Sequence, residues 1–231
     1  MNITWIGQAG LLIKCDGYTI IVDPYLSDNV AKFVPKNKRR QPIDESLFEI
    51  KPDVVLITHS HLDHTDEPTL RHYINEDSCV TVLSPTNAWQ QIKKYGGNNN
   101  YVLVNPGTQW SFGNIRISTV AAEHSDPCSV GFIIDAEGKK YYISGDTLYN
   151  TNVIEDVKKT AGGEEIYCAF LPINGVGNNM NITDAARFAN DIGTRFAVPV
   201  HFGMFDSLDP SDFEFENKII PHMYGEIVFP D

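Results

Sequence analysis

The run Thr-His-Ser-His-Leu-Asp-His at residues 58–64 constrains this chain more than any other feature. It packs four metal-ligating side chains, His59, His61, Asp63 and His64, into one short segment. In an extended or strand-end segment, residues i and i+2 project to the same side, so His59 and His61 can converge on one ion. Asp63 and His64 lie beyond them, where a turning chain can aim at a neighbouring ion. Imidazole and carboxylate suit Zn²⁺, Fe or Mn, and the run holds no thiolate of the kind that closes a structural zinc site. Sites of this composition keep an open position for water.

Bulk properties narrow the partners. A chain of 231 residues with 42% hydrophobic content can bury a substantial core, and a single domain over 1–231 is expected. The formal net charge of −12 repels nucleic acid and acidic membrane surfaces at long range, which leaves a small-molecule substrate as the expected partner. A homo-oligomer is compatible with this reading. Cys15, Cys79, Cys128 and Cys168 are scattered, with no C-x-x-C, a pattern that suits reduced thiols. The N-terminus has no basic segment followed by a long apolar run, and no stretch approaches the roughly 18 apolar residues of a membrane span. A soluble, cytoplasmic protein is expected.

The chain opens with β signals at 2–6, 11–15 and 18–23, with an Asp16-Gly17 turn that makes a hairpin. Residues 27–52 are polar and contain proline, and read as a long loop with a short helix around 45–48. The apolar run 54–58 ends on His59, and a helix follows with Pro68 in its first turn and Leu70, Tyr73 and Ile74 at helical spacing. The histidine run is therefore a strand-to-helix junction. Further strands are predicted at 80–83, 101–104, 115–120, 130–135, 140–144, 166–171 and 196–200. Helices are predicted at 85–95, closed by Gly96, at 152–159, and from a Thr183 cap to a Gly193 stop.

Three more candidate ligands stand at the ends of predicted strands: His124, Asp146 and His201. Strand ends in α/β architectures are where side chains from distant segments converge. His72 and His222 have no such placement and read as surface or core residues. Taken alone, Asp146 also suits a turn or helix cap, and Asp23 before Pro24 a turn.

With these residues in view, the chain resembles the metallo-β-lactamase superfamily. The resemblance is carried by Gly7-Gln8-Ala9-Gly10, by Ile21-Val22-Asp23-Pro24-Tyr25-Leu26-Ser27 and by the histidine run. Glu123-His124, Ser144-Gly145-Asp146-Thr147 and Pro199-Val200-His201-Phe202-Gly203 complete it. These openings and Leu171-Pro172-Ile173-Asn174-Gly175 look most like the L-ascorbate-6-phosphate lactonase-like branch. The resemblance implies an α+β fold, a four-layer αββα sandwich with the site along one edge of two sheets. It implies that His59, His61 and His124 hold one metal, that Asp63, His64 and His201 hold a second, and that Asp146 bridges them. Asp23 would be the carboxylate that fixes the tautomer of a ligand histidine.

The function so implied is metal-dependent hydrolysis with one or two divalent ions, Zn²⁺ or Mn²⁺, opening a phosphorylated sugar lactone. Asp63 and His64 are the catalytic candidates, Asp63 orienting the nucleophile and moving its proton. The basic run gives Lys38, Arg39 and Arg40 as candidates for a phosphate, and equally as a solvated loop. Asp126, Asn174, Asn178 and Asn181 are candidates for orienting a polyhydroxylated ligand, and equally for Asx turns. Phosphodiester or ribonuclease-type hydrolysis at the same bimetal site is the alternative. A diiron oxidoreductase fits less well, because that branch replaces the second histidine of the run with a carboxylate and this chain has His61. A non-catalytic binding module also fits less well, because all seven ligand positions are filled.

Overall fold

The computed structural model describes residues 1–230. Twelve strands form two six-stranded mixed sheets. In the first, β1 (Asn2–Gly7), β2 (Gly10–Cys15) and β3 (Tyr18–Val22) run antiparallel. Then β4 (Val54–Leu56), β5 (Thr81–Ser84) and β6 (Asn100–Leu103) continue parallel to β3. The second sheet repeats this plan. An antiparallel meander of β7 (Gln109–Phe112), β8 (Ile115–Ala121), β9 (Val130–Ala136) and β10 (Lys139–Ile143) passes into the parallel strands β11 (Ile166–Pro172) and β12 (Phe196–Val200).

Alternation along each strand explains the layering. In β2, Leu11, Ile13 and Cys15 join the large core between the sheets, while Leu12 faces the other way into a second core with Leu70, Tyr73, Ala88 and Ile92. Likewise Ile20 and Val22 of β3 point inward and Ile21 outward, as do Val54 and Leu56 of β4 against Val55. A strand segment buried on both faces has to read as an unbroken apolar run, as 11–13, 20–22 and 54–56 do, with the exposed Lys14 marking where the outer face of β2 leaves the core. The outer face of the first sheet is covered by α2 (Glu67–Tyr73) and α3 (Thr86–Ile92). The second is covered by α4 (Thr151–Thr160) and α5 (Ile182–Ile192), whose Val153, Val157, Ala185, Phe188 and Ala189 are buried. The four-layer sandwich follows from that arrangement.

The turns obey local chemistry. Asp16-Gly17 and Glu137-Gly138 both have positive φ at each residue, as a two-residue hairpin with the right-handed strand twist requires. Gly193 ends α5 in the left-handed conformation at φ 72°, ψ 39°. The segment after β12 runs back along the edge of β1, with Trp5 N donating to Gly225 O and Ile227 N to Ile3 O.

Several expectations need correction. Within 27–52 the chain forms α1 (Val30–Phe33) and a 3₁₀ turn at Pro35–Asn37 as well as the one at Glu45–Glu49. Strand β7 was not anticipated. The helix at 85–95 breaks into α3 and a 3₁₀ turn, Lys93–Tyr95, before Gly96. Thr183 is not the cap of α5; Asn181 is, its side chain accepting from Asp184 N at 2.9 Å. Thr183 already lies inside the first turn, and its side chain is exposed. No helix among the described residues is long and apolar enough to cross a membrane.

The cap assignment predicts that Asn181→Ala lowers unfolding free energy by about 1 kcal/mol while Thr183→Ala changes it by no more than a few tenths. Urea denaturation of the two variants measures the difference, and a larger loss in Thr183→Ala than in Asn181→Ala would return the cap to Thr183.

Candidate metal centre

Every sequence-predicted ligand leaves the same edge of the two sheets. His59, His61, Asp63 and His64 follow β4, His124 follows β8, Asp146 follows β10 and His201 follows β12. The loop after β4 turns sharply because His61 O accepts from both His64 N (3.0 Å) and Thr65 N (2.8 Å). That turn brings Asp63 and His64 round to a second position. Asp146 is presented by a tight approach: Gly145 has φ +60°, and a Cβ there would meet Thr58 Cβ at 2.7 Å. Only glycine fits that combination.

Two groups of donor atoms result, His59, His61, His124 and Asp146 in one and Asp63, His64 and His201 in the other. In the first, His61 Nδ1 lies 3.0 Å from both His59 Nε2 and His124 Nε2. Asp146 Oδ2 lies 3.9 and 3.8 Å from those same two nitrogens. Such spacings suit the edges of a tetrahedron around an ion at about 2.1 Å, for which the ideal is about 3.4 Å. In the second group, His201 Nε2 is 3.3 Å from Asp63 Oδ2 and 3.3 Å from Asp146 Oδ2, and His64 Nε2 is 3.4 Å from Asp146 Oδ1. Asp146 therefore reaches both groups.

Outer hydrogen bonds aim these lone pairs. Buried Asp23, at the end of β3, accepts from Thr58 N (2.8 Å), Thr58 Oγ1 (2.5 Å) and His64 Nδ1 (2.8 Å). His59 Nδ1 donates in turn to Thr58 Oγ1 at 3.0 Å, and His124 Nδ1 to Asn178 O at 3.1 Å. In all three imidazoles Nδ1 is held from behind by these partners and Nε2 faces inward, the orientation in which Nε2 can ligate a cation. Two of the inward atoms, His64 Nε2 and Asp146 Oδ1, are buried with no hydrogen-bond partner. Unpaired buried acceptors cost free energy unless a cation satisfies them, and imidazole with carboxylate is a donor set that binds divalent ions. The residues fit such a metal.

The two groups differ electrostatically. Burial depresses His59 and His124 below the ordinary histidine value, with neighbouring imidazoles adding to it. In His64, burial acts the same way but is outweighed by Asp146, Asp23 and Asp63. His201 is raised to about 10, burial again losing to Asp146 and Asp63. Burial disfavours ionised Asp63 and Asp146, but His64 and His201 hold both carboxyls well below their usual range. A cation entering the second group therefore displaces protons.

An open cavity of about 520 Å³ exposes both groups through His61, Asp63, Asp146 and His201, with Gln8, Lys36, Asn174, Asn179 and Phe205 on its walls. The substrate candidates divide against it. Asn174 lines the cavity. Lys38, Arg39 and Arg40 do not: the Arg39 guanidinium is spent on Tyr25 O, Gln41 O and Tyr224 Oη, and Lys38 and Arg40 are exposed elsewhere. Asp126 is a clamp for the histidine loop, accepting from Ser60 N, Ser60 Oγ, Asn87 Nδ2 and Cys128 N. Neither Asn178 nor Asn181 is among the lining residues. His64, a catalytic candidate from the sequence, has a fully buried side chain and is not among the residues lining the cavity; its place is with Asp63 and His201 in the second group of donor atoms. Gln8, Lys36 and Asn179 were missed. Gln8 stands just past the end of β1, and the rule that found His124 and His201 would have found it had it not been confined to histidine and aspartate.

A family model described as the beta-lactamase superfamily domain matches residues 18–202. The chain belongs to that superfamily. It is similar to a UPF0173 metal-dependent hydrolase of Thermoplasma acidophilum, 29% identical over 224 residues that cover 93% of this chain and 89% of the relative. Among solved structures it is similar to Igni18, a metallo hydrolase from Ignicoccus hospitalis, with a TM-score of 0.78, 20% identity, and 100% and 98% of the two chains covered. An isothiocyanate hydrolase from Delia radicum gut bacteria has a TM-score of 0.77 at 17% identity, with 99% of each chain covered. At such identities the structures share the fold.

The signs of these shifts predict how the metal-stripped protein responds to pH. A pKa raised on folding contributes stability that is complete below the unfolded value near 6.5 and is lost as pH rises through about 10. The urea midpoint of chelator-treated protein should therefore fall steadily over that window, and fall less in His201→Asn. A midpoint that rises across it would contradict the charge assignment.

Proposed function

We propose that this metal-dependent hydrolase of the metallo-β-lactamase superfamily opens a small, hydroxylated lactone. His59, His61 and His124 would hold one divalent cation with Asp146 Oδ2, and Asp63, His64 and His201 a second with Asp146 Oδ1. Bound there, such ions supply Lewis acidity, which lowers the pKa of water and polarises a carbonyl oxygen. The remaining work belongs to side chains. Asp63, kept ionised beside His64 and His201, accepts a hydrogen bond from the attacking water and orients it towards the carbonyl carbon. The bond from acyl carbon to ring oxygen breaks, and the departing alkoxide takes up the proton released by the water.

The observation that supports the substrate class is a pair of side-chain amides on the cavity wall. Asn174 and Asn179 both line the cavity that holds Asp63 and Asp146. Amide groups so placed are suited to orienting the hydroxyls of a polyhydroxylated substrate. Lys36 is the cation on the same wall and takes the place of Arg39 as the group for an anionic substituent such as a phosphate. Val30, Val176 and Phe205 leave part of the wall apolar, which suits the carbon skeleton of a ring. Phosphodiester hydrolysis is the second reading, favoured by the same pairing of a lysine with two metal-ligating groups.

A panel of neutral and phosphorylated sugar lactones, a bis-aryl phosphodiester and an aryl isothiocyanate, assayed with Mn²⁺ or Zn²⁺, separates these readings. The lactones should be the best substrates by kcat/KM, and preference for the phosphodiester would overturn the proposal. His59→Ala combined with His61→Ala should abolish turnover, and Lys36→Ala should raise KM for the phosphorylated lactone about tenfold with kcat unchanged.

A further inference from the structure

Gln8 is a neutral side chain in a place built from charged ones. It stands at the junction after β1 with φ +51° and is 1% exposed. A non-glycine residue in that backbone region is uncommon and is kept only where its surroundings fix it. Two donors do so here: Trp5 Nε1 and His201 N both give hydrogen bonds to Gln8 O at 2.9 Å. With its carbonyl pinned by the residue that also supplies an imidazole to the second group, the side chain is delivered into the cavity beside Asp63, Asp146 and His201.

The end of the amide lies 2.8 Å from Asp63 Oδ2, and 3.1 and 3.2 Å from His201 Nε2 and Nδ1. An atom nearly equidistant from both ring nitrogens is directed along neither lone pair, so the His201 contact does not hold it. The bond to Asp63 is the one directed interaction. A half-turn about the last side-chain torsion exchanges nitrogen for oxygen with no other movement. Oε1 would then occupy the same point, and an acceptor 2.8 Å from a carboxylate oxygen is stable only with a positive charge between them. Separations of about 3 Å are those of adjacent ligands on an ion with bonds of about 2.1 Å.

We propose that Gln8 is a further protein ligand of the second cation, supplying Oε1 alongside Asp63, His64, His201 and Asp146. This rests on the two-cation reading above. It makes the second position richer in oxygen than the first, with Asp63, Asp146 and Gln8 against a single carboxylate among three imidazoles. An oxygen-rich set with more ligands favours Mn²⁺ there, whereas three imidazoles and a carboxylate suit tetrahedral Zn²⁺.

The test is a Mn²⁺ titration followed by loss of the free-ion electron paramagnetic resonance signal, with no substrate present. Wild-type protein should take up two equivalents. Gln8→Leu should keep the first at unchanged affinity, which also reports that the variant is folded, and should weaken the second at least about tenfold. Gln8→Glu should bind the second ion at least as tightly as wild type, because a carboxylate oxygen replaces the amide oxygen. Unchanged affinity in Gln8→Leu would overturn the inference. So would weakening in both variants, which would mean that the amide serves only as a hydrogen-bond donor to Asp63. A wild-type protein that takes up a single equivalent would instead defeat the two-cation reading itself, before any variant is compared.

Discussion

The structure depends on the crowding of lone pairs at one sheet edge. Five imidazoles and two carboxylates converge there, with His59, His64, Asp146 and His201 all buried. Imidazoles and carboxylates packed so closely leave His64 Nε2 and Asp146 Oδ1 without hydrogen-bond partners. The fold tolerates this because each group is held from behind. Asp23 alone takes hydrogen bonds from Thr58 N, Thr58 Oγ1 and His64 Nδ1, and through Thr58 it also orients His59. Removing that carboxylate would free two imidazoles and the end of β4 together.

The architecture serves this convergence. Each sheet is an antiparallel meander that turns into parallel strands, and the parallel strands all discharge their C-terminal ends at the same edge. Segments as far apart in the chain as β1 and β12 meet there, joined by the bond from His201 N to Gln8 O and by the stacking of Trp5 on Phe202 at 4.9 Å. The apolar layers behind the edge are covered on both outer faces by helices, and the polar cluster opens to the cavity. A water molecule and a small substrate can enter where His61, Asp63 and Asn174 are exposed to it.

Much of this was legible in the sequence, for physical reasons. Continuous apolar runs ending on His59 and on Val200 marked strands buried on both faces, and the residues just past them had to lie at an edge. The first hairpin turn was legible because Asp and Gly at 16 and 17 tolerate the positive φ that such a turn demands. What escaped was set by tertiary contact. Strand β7 has only half-buried residues alternating with exposed ones and no strong periodic signal. Asn181 caps α5 because the chain crosses itself at the Asn174–Asn181 bridge. Arg39 reads as a free cation in sequence, yet its guanidinium is tied to Tyr25 and Tyr224, the latter 185 positions away. Lys36 faces the cavity only because a 3₁₀ turn at Pro35 follows α1.

The central claim is that both groups of ligands hold divalent cations in the working protein. The most direct measurement is the metal content of protein purified without chelator, by inductively coupled plasma mass spectrometry, together with its loss in His64→Ala. Two ions per chain, falling to about one when His64 is removed, is the predicted result. Less than about half an ion per chain in the unaltered protein, with no uptake when Mn²⁺ or Zn²⁺ is added, would contradict the account.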